Sequence, residues 1–342
     1  MLGVAVFTAP VQWLTHNPVL VYNVAFLASY VLAGMGAFLL ARSLWGRTDA
    51  ALLAGLAFAL SPYRMGQVTH LQMLMTGWVP LSLWALQRYV VSGSRRMLAA
   101  FAAAFLLQAL SNGYFLYFLS IAVAVAVACE LIRPRLPRVR LLADLAGAGV
   151  FILLLLSPFA WMYLHVQREN AFERRSDDLV RYAARWSDYF TVPPGGWSWG
   201  GRLPLGASER HLYPGLFALG FGLIGVASAL GHPRGAEAGD ADSPGQVHGE
   251  TDPGNQRADA VGPDEWRRNV VTYVLVTAVA FSVSLGPGAW RPYGVLVRVV
   301  PGFSGMRVPA RMGLLVHLGL AVLAAAGAAR VFSRLPRPVA LA

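Results

Sequence analysis

Long apolar runs, separated by short loops that carry arginine, constrain this chain more than any other feature. Nine runs can be read as spans: Val19–Leu40, Ala50–Leu60, Leu71–Val91, Leu98–Leu110, Tyr114–Ile132, Leu141–Val166, Tyr213–Leu230, Asn269–Leu285 and Met312–Ala329. Several reach the length needed to cross a hydrocarbon core of about 30 Å. The second is short: eleven residues rise only about 16 Å as a helix, so it is either extended by its polar ends or a half-helix. A single soluble core cannot absorb a chain that is 56% apolar and 13% charged, where about 25% charged is usual. The expected fold class is therefore all-α, a polytopic transmembrane helical bundle of about nine spans. A secreted disulfide scaffold is excluded as well, because Cys129 is the only cysteine.

A net charge of +11 would elsewhere point to nucleic acid. Here all 28 basic residues are arginine, and they form neither one patch nor a stripe along a helix. They sit mostly between the apolar runs, so nucleic acid is not an expected partner. Arg42, Arg47, Arg88, Arg95, Arg96, Arg133, Arg135, Arg138 and Arg140 fall in loops on one side, nine in all; Arg64 alone falls in the two intervening loops. The positive-inside rule makes the first side cytoplasmic. The expected location is a bacterial cell membrane, crossed several times, with membrane lipid as a partner; arginine without lysine beside abundant Ala and Gly suggests a GC-rich bacterial genome. The orientation puts residues 1–18 outside, without a charged leader, and leads us to expect an earlier span upstream; the other reading is that Met1–Leu14 dips into the membrane by itself.

Three units are expected: a main bundle over 1–230 that includes an outer loop at 167–212, a disordered cytoplasmic loop over 231–268, and C-terminal membrane helices over 269–342. The middle segment is rich in Gly, Ala, Asp and Pro and has too few large apolar residues to offset ordering entropy. In the outer loop Leu179, Tyr182, Trp186 and Tyr189 recur at helical spacing, which predicts an aromatic amphipathic helix lying at the membrane interface.

Carboxylates are scarce. Before His165 there are only Asp49, Glu130 and Asp144, all at the cytoplasmic side. The outer candidates are Glu169, Glu173, Asp177, Asp178, Asp188 and Glu209, most of them interleaved with arginine as on an ion-paired surface. Asp188, after the aromatic face and before a Pro-Pro turn, is the best acid or base. The strongest local group is S-P-Y-R-M-G-Q-V-T-H-L-Q from Ser61. Its Arg64, Gln67, His70 and Gln72 cluster between two spans on the outer side, and a guanidinium there suits a lipid-linked phosphate; an ordinary polar cap at the interface is the other reading. Arg307 and Arg311, in the last outer loop, oppose the positive-inside trend and extend the basic set. Ser111-Asn112-Gly113 reads as an ordinary turn. No metal site is expected: His70 has no partner histidine at useful spacing, and a divalent cation has no support in the sequence. There is no dinucleotide fingerprint, Walker lysine, H-E-x-x-H or G-x-S-x-G.

The runs N-P-V-L-V-Y-N from Asn17, A-G-L-A-F-A-L-S-P-Y-R from Ala54, W-V-P-L-S-L-W-A-L from Trp78, L-Q-A-L-S-N-G-Y from Leu107, Y-P-G-L from Tyr213 and P-G-F-S-G-M-R-V-P-A-R from Pro301 resemble a group of bacterial polytopic proteins related to the C-type membrane glycosyltransferases. The resemblance implies a helical bundle with an outward active site, a polyprenyl-phosphate-linked sugar as donor, and a catalytic carboxylate in the loop after the first span. This chain begins beyond that loop, so no residue here matches that carboxylate. The expected function is sugar transfer from the lipid-phosphate donor to an acceptor on the outer face. A transporter or lipid flippase, or a non-catalytic membrane protein, is the alternative.

Overall fold

The computed structural model describes residues 2–169, 176–191, 208–230, 261–287 and 291–334, and among them every element is helical. In chain order these are α1 (Leu2–Thr15), α2 (Pro18–Trp45), α3 (Thr48–Ala59), α4 (Pro62–Gly66), α5 (Leu71–Leu74), α6 (Trp78–Ser92), α7 (Arg95–Ser111), α8 (Tyr114–Ile132), α9 (Arg138–Glu169), α10 (Ser176–Arg181), α11 (Leu216–Leu230), α12 (Pro263–Ser284), α13 (Arg291–Val299) and α14 (Gly313–Phe332). Local chemistry sets several boundaries. The Asn17 Oδ1 accepts the Val19 and Leu20 N–H groups at 3.1 Å, and Pro18 supplies a first helical residue that needs no partner. The same helix stops at Gly46, which takes the left-handed backbone (φ 72°) and donates its N–H to the Arg42 carbonyl.

Four helical stretches are long and apolar enough to cross a membrane: Pro18–Trp45, Tyr114–Ile132, Arg138–Met162 and Pro309–Phe332. The others among the nine expected runs include α3 at 12 residues and α6 and α11 at 15 each, below the roughly 20 that a perpendicular crossing takes. The third run departs furthest from expectation. Leu71–Val91 is two helices, α5 and α6, broken at Met75–Gly77. Gly77 lies against the backbone of α2, where a Cβ would come within 2.6 Å of the Leu32 carbonyl carbon. The carbonyls released near the break are taken by side chains of α7 and its cap: Gln108 Nε2 donates to the Met75 oxygen (3.2 Å) and Asn112 Nδ2 to the Gln72 oxygen (3.1 Å). Broken backbone inside a membrane bundle persists only with such substitutes.

Burial is distributed as lipid would require. In α14 nearly the whole apolar stretch is enclosed by protein (94%), against 11% in α9. The outward side of α9 carries Val150, Phe151, Leu153, Leu154, Phe159 and Trp161, all exposed; an apolar surface of this extent needs an apolar solvent. The chain therefore has the build of a membrane protein. The expectation that residues 269–342 form a separate tail is corrected: α14 packs on α11, α12, α3 and α2 as the central helix. Its Ala324–Ala329 stretch, interrupted only by Gly327, lets neighbours approach closely. The boundary at 268 is corrected too, because α12 starts at Pro263; residues 231–260, expected to be disordered, lie outside the described residues.

The arginine-rich loops share one end of the bundle. There Arg140 donates to the Gly93 carbonyl (2.8 Å), Asn269 Nδ2 to the Leu44 carbonyl (3.2 Å), the Trp45 and Trp266 rings meet at 4.7 Å, and Arg330 stacks on Trp266. The loops poor in arginine, with Ser61–Gln72 and Asn112, gather at the other.

Candidate functional site

At the arginine-poor end four separate parts of the chain converge: α4 and the turn after it, the start of α8, the turn at Ser208–Arg210, and the turn at Pro309–Met312 that leads into α14. Proline or glycine marks the start of three of them: Pro62 opens α4, Gly113 precedes α8, and Pro309 opens the last turn. Glu209 stands at the centre. Its Oε1 accepts from Arg311 NH2 at 2.5 Å, and its Oε2 accepts from Arg311 Nε at 3.2 Å and from Gln67 Nε2 at 3.4 Å. The Arg311–Glu209 pair is bidentate and its side chains are only 13% and 12% exposed. The Arg311 guanidinium also lies over the Tyr114 ring at 4.8 Å. Tyr63 is buried beneath, its hydroxyl without a hydrogen-bond partner among the described residues. Burial first, and the Glu209 charge second, push that phenol well above its ordinary range. His317 closes the floor, 5.8 Å from the Tyr63 ring, with its Nε2 at 2.9 Å from the Leu212 carbonyl.

Arg307 occupies the rim. It is exposed, its NH2 donates to the Tyr182 hydroxyl at 3.0 Å, its guanidinium covers the Tyr182 ring at 4.7 Å, and its backbone N–H donates to the Tyr114 hydroxyl. Two aromatic rings and two arginines thus gather beside one carboxylate, and of the two guanidinium groups that of Arg307 is the exposed one.

The expected site residues divide. Gln67, Arg307 and Arg311 come together. Gln72 contributes its backbone carbonyl to the Asn112 bond, and His70 is half-buried with its Nδ1 3.3 Å from the Thr69 hydroxyl. Arg64, Gln67 and His70 do not lie on one continuous helix, since α4 ends at Gly66 and α5 begins at Leu71. Arg64 is turned inward and 1% exposed. Its Nε donates to the Ala59 carbonyl (3.2 Å), NH1 to the Thr76 hydroxyl (2.5 Å) and NH2 to the Ser29 carbonyl (3.2 Å). The Tyr30 and Phe58 rings flank it at 5.3 and 5.5 Å. Burial lowers its pKa to about 10, which leaves it charged at neutral pH. Three of its five N–H donors are thus spent on holding the fold, and at 1% exposure the fork is turned away from the surface.

Asp188 is likewise a structural anchor. It is 3% exposed, takes Arg210 in a bidentate pair (2.6 and 2.9 Å), and accepts the Arg185 N–H at 2.7 Å. The amphipathic helix expected from Leu179 to Tyr189 is not continuous: α10 ends at Arg181 and a 3-10 turn runs Trp186–Phe190. Between them the Tyr182 carbonyl accepts from Ala310 N–H and the Ala184 N–H donates to the Ser284 carbonyl, which pulls the segment out of helical geometry. Glu209, Tyr63 and Tyr114 are the residues whose weight the sequence reading missed. The available signal was a lone outer carboxylate next to two basic residues, Arg210 and His211. Glu173 lies outside the described residues, as do the side chains of Asp177 and Asp178. Among the described residues no group of three His, Cys, Asp or Glu side chains has the spacing to hold a metal ion.

A family described as a domain of unknown function, DUF6311, matches residues 3–342. The chain belongs to that family. No curated protein and no solved structure matches it. Because the family match runs through both ends of the bundle, the Glu209 cluster and the arginine-rich loops belong to one family unit.

Proposed function

We propose that this DUF6311 chain is a multi-pass protein of a bacterial cell membrane, with about nine membrane-embedded segments in a C-type glycosyltransferase-like bundle. Its arginine-poor end faces outward and takes a polyprenyl-phosphate-linked sugar. The observation that carries the reading is the Arg311–Glu209–Gln67 cluster, walled by Tyr114 and Tyr182, with Arg307 at its exposed rim. Arg307 would meet the donor phosphate, while Gln67 and Tyr63, each 1% exposed, would hold Glu209 and floor the site from below. In transfer, the acceptor hydroxyl oxygen bonds to the anomeric carbon as that carbon's bond to the phosphate oxygen breaks. The hydroxyl proton passes to Glu209, and polyprenyl phosphate leaves with its charge countered by Arg307. A second reading has its own support: Glu209 and Asp188 are both ion-paired, which favours a protein that binds or moves the lipid-linked sugar without reacting with it.

Donor binding and donor turnover by the purified full chain separate these. Arg307→Gln removes one charge-assisted contact, worth about 1.5–3 kcal/mol, and is expected to weaken donor binding roughly ten- to a hundred-fold. Glu209→Gln should abolish turnover if transfer occurs and leave it at zero, as in the parent, if the protein only binds. Absence of donor binding by the parent, or unchanged affinity in Arg307→Gln, removes the proposal.

The orientation is tested separately. In a Cys129→Ser background, Met65→Cys is expected to react with an impermeant thiol reagent from outside intact cells, and Val139→Cys only after the membrane is opened. Both positions are exposed and lie at opposite ends of the bundle. The reverse pattern would move the Glu209 cluster to the cytoplasm.

A further inference from the structure

The arginine-rich end carries a second feature that sugar transfer does not use. A groove of about 540 Å³ opens between the end of α8 and the start of α12. It is lined by Cys129, Ile132, Arg133, Arg267, Arg268 and Leu275, with Asp264, Val271 and Thr272 completing the wall. Its charges are unbalanced. The nearby Glu130 and Glu265 are already paired with Arg135, at 3.4 and 3.3 Å. That leaves Asp264 alone against three arginines whose side chains make no hydrogen bond or ion pair with the described residues, and the Arg268 Nε is buried without a partner. Apolar surface adjoins the charge: Ile132 is 73% exposed, and Val271 and Leu275 are exposed beside it. A basic pocket opening beside exposed aliphatic side chains, at the end of two membrane helices, matches a phosphate headgroup above an acyl chain. A free phosphate would satisfy the arginines and leave the aliphatic rim wet.

We propose that this groove holds an acidic phospholipid, with its phosphate between Arg133, Arg267 and Arg268 and its acyl chain along Ile132, Val271 and Leu275. The site belongs to the opposite end from the Glu209 cluster and stands whether or not sugar transfer occurs.

Cys129 is a built-in reporter, because it lines the groove and is partly exposed. In detergent, phosphatidylglycerol is expected to slow alkylation of Cys129 in the full chain, and phosphatidylcholine is not. By native mass spectrometry phosphatidylglycerol should bind the parent more tightly than phosphatidylcholine. Arg133→Gln with Arg267→Gln should lower that affinity about five-fold per arginine, about twenty-five-fold for the pair. Arg95→Gln with Arg96→Gln, on another loop at the same end, should leave it unchanged. Equal protection of Cys129 by both lipids would overturn the proposal, since it would mean that acyl chains alone occupy the groove. So would an equal loss in the Arg95/Arg96 variant, which would mean diffuse attraction to a basic end. The alkylation comparison uses the parent protein and decides the matter even if the double variant does not fold.

Discussion

Arg64→Met is expected to lower the thermal unfolding midpoint of the detergent-solubilised protein by about 3–6 °C. Methionine keeps most of the aliphatic stem but removes every donor. The Ala59 and Ser29 carbonyls and the Thr76 hydroxyl then lose the bond from Arg64 in a region closed to water, the Thr76 hydroxyl keeping its contacts to the Met73 and Leu74 carbonyls. Each buried group left unmatched costs about 1–3 kcal/mol, and the desolvation of the guanidinium itself is no longer incurred, so a net loss near 3 kcal/mol is reasonable. At about 1–2 °C per kcal/mol, from the unfolding entropy expected of 342 residues, the stated shift follows. The three acceptors belong to α2, to the end of α3 and to the break before α6, so one side chain ties three parts of the bundle together. Arg64→Lys should fall between parent and Met, because one ammonium cannot reach three diverging acceptors. If Arg64→Met unfolds at the parent temperature and instead loses binding of a polyprenyl-phosphate-linked sugar, Arg64 belongs to the ligand site and its inward placement is refuted.

Gly327→Val is expected to prevent α11 from seating on α14. A Cβ at Gly327 would lie 1.9 Å from the Phe221 carbonyl oxygen, and one at Gly225, on the facing helix, 2.2 Å from the Leu323 oxygen. Both obstacles are backbone, which cannot rotate away as a side chain can. Overpacking of a core usually costs about 1–3 kcal/mol, and a clash between two helix backbones belongs at or above the top of that range. Gly225→Ala should show the same direction. Gly149→Ala on α9 is the control: nothing lies within 4 Å of its Cβ, and alanine is the better helix former by about 1 kcal/mol, so stability should hold or rise slightly. Chromatographic homogeneity and the unfolding midpoint report both effects. A Gly327→Val protein as stable as the Gly149→Ala control would show that the two helices do not touch along these glycines.

The elements that were legible in the sequence are those whose causes are local. Tyr114–Ile132 has the same bounds as an apolar run and as a helix, because side chains that prefer lipid or protein over water need no particular partner to form it. The sharing of one end by the arginine-bearing loops also follows from local order, since consecutive helices joined by short loops must alternate in direction. The short helix before Pro62 was readable for the same reason: proline ends it regardless of what packs nearby.

What only the tertiary structure decided is the identity of each polar residue's partner. Arg64 looks like a phosphate ligand when its neighbours are Gln67 and His70, and becomes a strut once Ser29 and Thr76 stand beside it, 35 and 12 residues away. Asp188 looks like a free acid until Arg210 arrives. Glu209 acquires its place from Arg311 and Gln67, separated from it by 102 and 142 residues. Pro80, in the first turn of α6, marks the break within Leu71–Val91, but the break is sustained by Gln108 and Asn112, which supply replacement hydrogen bonds from another helix. By itself the sequence determined that this chain is helical, with segments long and apolar enough to cross a membrane and with an arginine-rich and an arginine-poor end, because burial of apolar surface and placement of charge act on each segment separately. Which polar groups hold the bundle together and which face a ligand was decided only on folding, because a hydrogen bond or ion pair depends on a partner that the chain brings in from far away.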